Sequence, residues 1–174
     1  ELVEEFFKEN PRQYELVNFS VNQGLCAGRR YVEENAKTKY ILFVDADDYI
    51  VSGGLGRIVN LAEEHNADVV KFKNRSVQDS SELDKSSVSD TPMNIEITTG
   101  DGVLNRHDIS DYIVWDGIYR RTVIIENNIL FKTDLCLRED DTFMGMLYCH
   151  ANVVIATDLP LYRYVSASNY SSTH

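Results

Sequence analysis

In the first half of the chain, apolar residues recur at two spacings that alternate along the sequence. Leu2 and Phe6, like Val3 and Phe7, are four residues apart, which is the spacing of one helix face. Residues 40–44 are apolar throughout, which is typical of a strand buried on both faces. The pattern predicts helices at 1–10, 25–37 and 52–65 that alternate with strands at 14–20, 40–44 and 67–72.

The second half of the chain has a less regular pattern. Ser76–Thr91 is rich in Ser and Asp and has no periodicity, so we predict an exposed loop over residues 76–91. Beyond it the pattern predicts strands at 93–99, 152–156 and 161–165 and a helix at 140–151.

The helices predicted at 25–37 and 140–151 each have an apolar face. In the helix at 25–37 this face comprises Leu25, Val32 and Ala36. In the helix at 140–151 it comprises Phe143, Met144 and Leu147. We expect these side chains to point into the core.

The order of elements predicts the fold class. Helices and strands alternate in the first part of the chain, and this order favours an α/β fold with a mostly parallel sheet. The 174 residues are enough for one domain with a sizeable core, so we expect a single domain over residues 1–174.

Composition and charge exclude several classes of function. The chain carries 17 basic and 28 acidic residues, a net charge of −11, which argues against a nucleic-acid partner. An anionic ligand would need a metal or a local cation. The three cysteines have no C-x-x-C spacing and predict reduced thiols in a cytoplasmic protein. No apolar run approaches the ~18 residues of a membrane span, and no signal peptide opens the chain.

An acidic cluster ends the predicted strand at 40–44. Asp45, Asp47 and Asp48 follow it within four positions, although such carboxylates repel each other. Alternate residues at a strand end point the same way, so Asp45 and Asp47 could hold Mg²⁺ or Mn²⁺ together with a substrate phosphate. Alternatively, the aspartates cap the next helix or shape a turn.

The segment around this cluster resembles a known family. The stretch "NQGLCAGRRYVEENAKTKYILFVDADD" is similar to the nucleotide-sugar segment of family 2 glycosyltransferases with the GT-A fold. Asn22, Gly24 and Arg29 match its N-x-G and Ala-Arg-Asn elements. The end of the stretch, residues 40–48, matches the family's Y-I-x-F-L-D-x-D-D. Arg30 stands where Asn is usual and Val32 where Gly is usual.

A second, distant stretch strengthens the resemblance. "LREDDTF" is similar to the family's E-D-x-x-F motif, in which Glu139 and Asp140 occupy the E-D positions. A shift of one residue would put Asp141 in place of Asp140. The flanking stretches "VWDGIYRR" and "LPLYRYV" resemble those of bacterial polysaccharide transferases, and the likeness extends from the first helix to about Tyr164.

The resemblance implies an activity and a set of site residues. It implies a GT-A-like (Rossmann-like) fold and inverting sugar transfer from a nucleotide diphosphate sugar to a saccharide or lipid-linked hydroxyl acceptor. Asp140, with Glu139 beside it, would provide the catalytic base. Mn²⁺ or Mg²⁺ would bind to Asp47 and Asp45, and Asn22, Gly24 and Arg29 would contact the donor. Polysaccharide synthesis would place the full protein in the cytoplasm, near the inner face of the membrane.

Two further residues are candidates for substrate binding, and part of the family pattern is missing. Trp115 could stack on a sugar ring or belong to the core. Arg163 could contact the diphosphate or lie on the surface. In the family, a P-x-Y-N and a D-x-G-S-x-D element precede the region that this chain matches, and this sequence contains neither. We therefore expect the domain to be incomplete at its N-terminus and this chain alone to be inactive or nearly so.

Two other functions are compatible with the acidic cluster. A phosphotransferase could use D-x-D as a nucleophile and metal site, although it would also need a suitable Lys and Ser or Thr nearby. A non-catalytic carbohydrate-binding or scaffold module is the other alternative.

Overall fold

The computed structural model describes residues 2–9, 11, 13–78, 87–106, 108, 112–133 and 138–166. The helices among them are α1 (Leu2–Glu9), α2 (Leu25–Asn35), α3 (Leu55–Glu64), α4 (Gly100–Leu104), α5 (Arg121–Glu126) and α6 (Glu139–Tyr148). The strands are β1 (Tyr40–Leu42), β2 (Tyr49–Ile50), β3 (Val69–Val77), β4 (Ile95–Thr98), β5 (Gly117–Arg120) and β6 (Val154–Val165). None of the described helices is long and apolar enough to cross a membrane.

The strands form one mixed sheet in the order β1-β5-β3-β6-β2, and β4 pairs with the first part of β6. The α/β class is confirmed, whereas the mostly parallel sheet is seen only in part. β3 and β6 pair in parallel, and the other pairings are antiparallel. The reason is that β5 lies between β1 and β3 and runs against both. The apolar pattern reports burial of a strand but not its direction.

Alternate residues of the central strands face two separate cores. Val69 packs with α6 in one core, whereas Val70 packs with α3 in the other. Phe143, Met144 and Leu147 of α6 are buried in the first core, as predicted. Because α2 also contacts this core, the face of the sheet with α2 and α6 carries Arg29, Glu33 and Asp140.

Several predictions about single elements need correction. Residues 14–20 form no strand, because no described strand lies beside them to pair with. The predicted strands at 152–156 and 161–165 are one continuous strand, β6. In the region predicted as an exposed loop, β3 extends to Val77 and Val88 is buried, while residues 79–86 lie outside the described part.

The predicted inward face of α2 is wrong for Leu25 and Val32, whereas Ala36 does pack against the first core. Leu25 and Val32 are 52% and 40% exposed, and Ala36 follows the end of the helix. The buried face of α2 carries Cys26, Arg29 and Glu33 instead. Arg29 and Glu33, both ionisable, therefore lie on the core side of α2. Burying such side chains costs desolvation free energy unless they have hydrogen-bond or charge partners.

Candidate active site

Arg29 brings the two acidic motifs of the sequence together. Its Nη1 donates to Oδ1 of Asp140 at 2.5 Å, and its Nη2 donates to Oδ1 of Asp45 at 3.4 Å. Glu139 Oε1 lies 4.0 Å from the same Nη1. The end of β1 and the start of α6 therefore meet at one guanidinium, although Arg29 and Asp140 are 111 residues apart in the chain.

Aromatic packing holds Arg29 in this position. Its side chain is only 6% exposed, and its guanidinium lies over the ring of Phe131 at 5.1 Å from the centroid. Phe131 in turn stacks on Phe143 of α6 at 4.5 Å. The guanidinium and the start of α6 thus share one aromatic support, which favours a fixed distance between Arg29 and Asp140.

Glu33, one turn beyond Arg29 on α2, is fully buried. Its Oε2 accepts a hydrogen bond from the backbone N–H of Phe131 at 3.1 Å. Burial raises the pKa of Glu33 to about 8, against the opposing effect of that N–H. The carboxyl is therefore mainly protonated at neutral pH and ties α2 to the segment that carries Phe131.

Asp140 and its neighbour Asp141 have different surroundings. Its Oδ2 accepts a hydrogen bond from the backbone N–H of Val114 at 3.4 Å, while Oδ1 binds Arg29. Burial raises the pKa of Asp140, and Arg29 and the Val114 N–H oppose that rise. The neighbouring Asp141 accepts from Arg138 Nε at 2.5 Å instead. Of the two candidates for the base, Asp140 is the one directed at Arg29.

The three aspartates after β1 have different environments. Asp48 accepts from the Tyr162 hydroxyl at 2.6 Å and from the Val165 N–H at 2.8 Å. These bonds attach the turn to β6, and burial raises the pKa of Asp48. Asp47 is exposed and makes no hydrogen bond or ion pair with the residues that the structure describes. Asp45 accepts the hydrogen bond from Arg29 described above.

The described residues include no group of three or more metal-ligating side chains. A cation could bind the carboxylate oxygens of Asp47 and the second carboxylate oxygen of Asp45. Mg²⁺ is usually held by one or two carboxylates together with substrate phosphates. These two residues therefore fit a cation shared with a substrate, but not a closed site of protein ligands.

Asn22 and Gly24 shape the entry to α2. The side-chain oxygen of Asn22 accepts from the Gly24 N–H at 2.9 Å, and Gly24 precedes α2 with a φ of 80° that favours glycine. Gly24 also borders a cavity of about 450 Å³ that reaches Arg29 and Asp45. The two residues thus have a structural role beside this cavity, and their contact with a donor stays a prediction.

Trp115 and Arg163 have partners within the protein. The Trp115 indole stacks on Tyr162 at 4.5 Å and on Tyr164 at 5.7 Å. Arg163 is 3% exposed, so it is not a surface residue, and its Nη1 donates to the Pro160 carbonyl at 2.7 Å. Strand alternation directs Arg163 away from the face that carries the two tyrosines. Their roles in substrate binding stay predictions.

Sequence reasoning missed Tyr162, Glu33 and the Val114 N–H. Tyr162 donates to Asp48 and accepts from the Asp45 N–H at 3.2 Å, so it organises the acidic turn. Its position in "LPLYRYV" was the available signal. A backbone donor such as Val114 leaves no signal in its side chain, and Glu33 has the appearance of a solvated helix residue. Cys26 is buried, Cys149 is exposed, and Cys136 lies outside the described residues.

Comparison with solved structures shows the same fold. A crystal structure of Staphylococcus aureus TarS residues 1–349 in complex with UDP-GlcNAc superposes with a TM-score of 0.77 at 22% identity, covering 99% of this chain and 48% of that chain. A second crystal structure of TarS 1–349 gives a TM-score of 0.74 at 24% identity, covering 95% of this chain and 47% of that one.

Comparison of sequences gives related proteins. The chain is 29% identical over 171 residues to the uncharacterized glycosyltransferase EpsJ of Bacillus subtilis (strain 168), covering 94% of this chain and 48% of EpsJ. It is 26% identical over 161 residues to the poly(ribitol-phosphate) beta-glucosyltransferase of Bacillus spizizenii, covering 91% of this chain and 24% of that protein. The chain spans about half the length of EpsJ and less of the second relative. Residues 1–127 match the sequence profile of glycosyl transferase family 2, and the chain therefore belongs to this family.

Proposed function

We propose that this chain carries the catalytic centre of an inverting glycosyltransferase, which moves a sugar from a nucleotide diphosphate sugar to a hydroxyl acceptor. The observation that carries the proposal is the contact of Arg29 with both Asp140 and Asp45. A sugar transferase needs a base for the acceptor and a group that handles the leaving diphosphate. Arg29 brings the candidates for these two tasks together.

Asp140 is the proposed base. It takes the proton of the acceptor hydroxyl while that oxygen bonds to the anomeric carbon, and the bond to the diphosphate breaks with its electron pair leaving on the phosphate oxygen. Attack from the side opposite the leaving group inverts the anomeric centre. The raised pKa of Asp140 favours proton transfer, because an ordinary aspartate is a weak base.

Asp47 and Asp45 are the proposed ligands of Mn²⁺ or Mg²⁺. When bound, the cation neutralises charge that develops on the leaving diphosphate. Asp47 is exposed and has oxygens to offer, while Arg29 restrains Asp45. An overall charge of −11 repels a diphosphate, so local positive charge is needed at this place.

The relatives suggest the class of donor and acceptor. The TarS protein was crystallised with UDP and with UDP-GlcNAc, and the Bacillus spizizenii relative is named for transfer to poly(ribitol-phosphate). We therefore propose a nucleotide sugar donor and a saccharide or lipid-linked acceptor in the synthesis of a cell-surface polysaccharide. A lipid-linked acceptor would bring the enzyme to the inner face of the membrane.

The decisive test measures nucleotide diphosphate release by the full-length protein from a panel of nucleotide sugars with Mn²⁺, because this chain alone is expected to be inactive or nearly so. We expect Asp140→Asn to lower kcat by ~10²-fold or more while donor affinity is kept. Asp141→Asn is the matched control, because Asp141 lies next in the chain and binds Arg138. If Asp141→Asn is the inactive variant instead, the base is misassigned. Release of inorganic phosphate instead of the nucleotide diphosphate would indicate a phosphotransferase or phosphatase.

A further inference from the structure

A single peptide group lies between a buried lysine and the proposed base. The N–H of Val114 donates to Oδ2 of Asp140 at 3.4 Å. The carbonyl of Ile113, which belongs to the same peptide unit, accepts a hydrogen bond from Lys71 Nζ. In a planar trans peptide the N–H and C=O point in opposite directions. Lys71 and Asp140 therefore bind the two ends of one amide.

Lys71 is a costly residue at this position. It is 7% exposed and forms an ion pair with Asp116, which is 5% exposed. Asn74 Nδ2 lies 3.4 Å from the second oxygen of Asp116. Replacing such a buried pair with apolar residues is often neutral or stabilising. Stability alone is therefore a poor reason for the pair, and its contact with the Ile113 carbonyl is the specific feature that needs an explanation.

The neighbouring groups fix the same segment from other sides. The Tyr119 hydroxyl donates to the Val114 carbonyl at 2.5 Å. Burial raises the pKa of Tyr119, so this hydroxyl stays a donor. Trp115 stacks on Tyr162 and Tyr164 of β6. The peptide that meets Asp140 thus has little freedom to rotate.

We propose that Lys71 is a positioning residue for the base, which acts by holding and polarising the Ile113–Val114 peptide so that the Val114 N–H binds the Asp140 carboxylate. A hydrogen bond to an amide carbonyl strengthens the donor capacity of the N–H of the same amide. Lys71 thereby orients the carboxylate oxygen and favours its charged form. The inference rests on the proposed function, because it matters for catalysis only if Asp140 is the base.

Other titratable groups also lie near Asp140. Arg29 and Cys26 approach it from α2, Glu139 lies beside it on α6, and Tyr119 faces it from β5. Burial and Glu139 raise the pKa of Asp140, whereas Arg29 and the Val114 N–H lower it. The proposed contribution of Lys71 is exerted through that last donor. Loss of Lys71 should therefore raise the pKa of Asp140.

The test uses the double variant Lys71→Met/Asp116→Asn in the full chain. It removes the ammonium without leaving a buried carboxylate, and it keeps the net charge. The ¹³C signal of the Asp140 carboxyl, identified by its loss in Asp140→Asn, is followed against pH together with the Val114 amide proton. We expect the pKa of Asp140 to rise by about 0.5 unit or more. We also expect the amide proton to move to lower chemical shift as its hydrogen bond weakens.

A matched control removes a different ion pair. Arg106 and Glu96 form an exposed pair, so Arg106→Met/Glu96→Gln should leave both signals unchanged. Lys71→Arg, which can donate to the same carbonyl, should keep the signals of the unsubstituted protein. Unchanged signals in the Lys71→Met/Asp116→Asn variant, or equal changes in the control, would overturn the inference.

Two further measurements cover a failed fold and a failed function. In the unsubstituted chain, the ¹⁵N signal of Lys71 Nζ should shift at the pH where Asp140 titrates, and a constant signal would contradict the coupling. In the assay, the acidic limb of kcat/KM should move to higher pH in the double variant with the donor KM unchanged. Full activity of Asp140→Asn would refute the proposed function, whereas the NMR titration would still decide the role of Lys71.

Discussion

At the scale of single residues, Arg29 has two opposing effects on the proposed base. Its guanidinium holds Asp140 in place at 2.5 Å, and its charge opposes the rise in pKa that burial causes. A base that is held by a cation is well oriented but less basic. The site therefore balances orientation against proton affinity, and burial of the carboxylate shifts this balance towards basicity.

Substitution of Arg29 should expose this balance. In Arg29→Met the cation is lost, so the pKa of Asp140 rises and the acidic limb of kcat/KM moves to higher pH. We also expect kcat at the optimum to fall by ~10-fold or more, because the carboxylate loses its fixed orientation. The measurement is a pH profile of steady-state sugar transfer.

Arg30→Met is the matched control for this experiment. Arg30 is the next residue on α2, but its side chain is 39% exposed and pairs with Glu34. Its profile should overlay that of the unsubstituted enzyme. A fall in kcat of Arg29→Met with no movement of the acidic limb would mean that Arg29 does not act on the charge of Asp140.

At the scale of elements, α2 shows why its apolar pattern was misleading. The helix turns Cys26, Arg29 and Glu33 towards the core and leaves Leu25 and Val32 exposed. The apolar pattern assigns a helix face on the assumption that buried residues are apolar. Here the buried face serves the site, and Phe131 provides the partners that make burial of Arg29 and Glu33 tolerable.

Burial of Glu33 should make stability depend on pH. Its pKa is raised from 4.5 to about 8 in the folded chain, so the folded state binds a proton that the unfolded state has released above pH 4.5. The free energy of unfolding should therefore fall as pH rises from 4.5 to 8 and be affected no further above this range. Each unit of pKa shift corresponds to about 1.4 kcal/mol, so the loss should reach a few kcal/mol.

Glu33→Gln removes this titration and keeps the shape of the side chain. In urea unfolding between pH 5 and 8, the variant should gain stability relative to the unsubstituted chain as pH rises. Glu34→Gln is the control, since Glu34 is exposed on the same helix. If the free energies of unfolding of the Glu33→Gln variant and the unsubstituted chain change in parallel with pH, Glu33 has the same pKa in the folded and the unfolded chain and the prediction is wrong.

At the scale of the whole molecule, the sequence predicts most of the elements and the acidic motifs of the candidate site, but not the contacts that join those motifs. The helices at 2–9, 25–35 and 55–64 and the first part of β3 were predicted from the apolar pattern, although that pattern assigned the wrong face of α2 and ended the strand at residue 72. The strand predicted at 14–20 does not form, since strand formation depends on a partner that local sequence does not reveal. The acidic motifs were recognised, but their connection through Arg29 and Phe131 depends on long-range packing.

Because the chain carries a net charge of −11, a test of Asp47 must separate cation binding at Asp47 from general repulsion of an anionic ligand. If Asp47 binds the cation, Asp47→Asn should weaken Mn²⁺-dependent UDP binding by ~10-fold or more, which corresponds to about 1.4 kcal/mol. If Asp47 merely adds to the repulsion of an anionic ligand, the same change should strengthen binding. Asp90→Asn alters the net charge equally at an exposed position and should leave the affinity nearly unchanged. Isothermal titration of UDP into the full-length protein with and without Mn²⁺ measures both variants, and tighter binding by Asp47→Asn would refute the metal-ligand role.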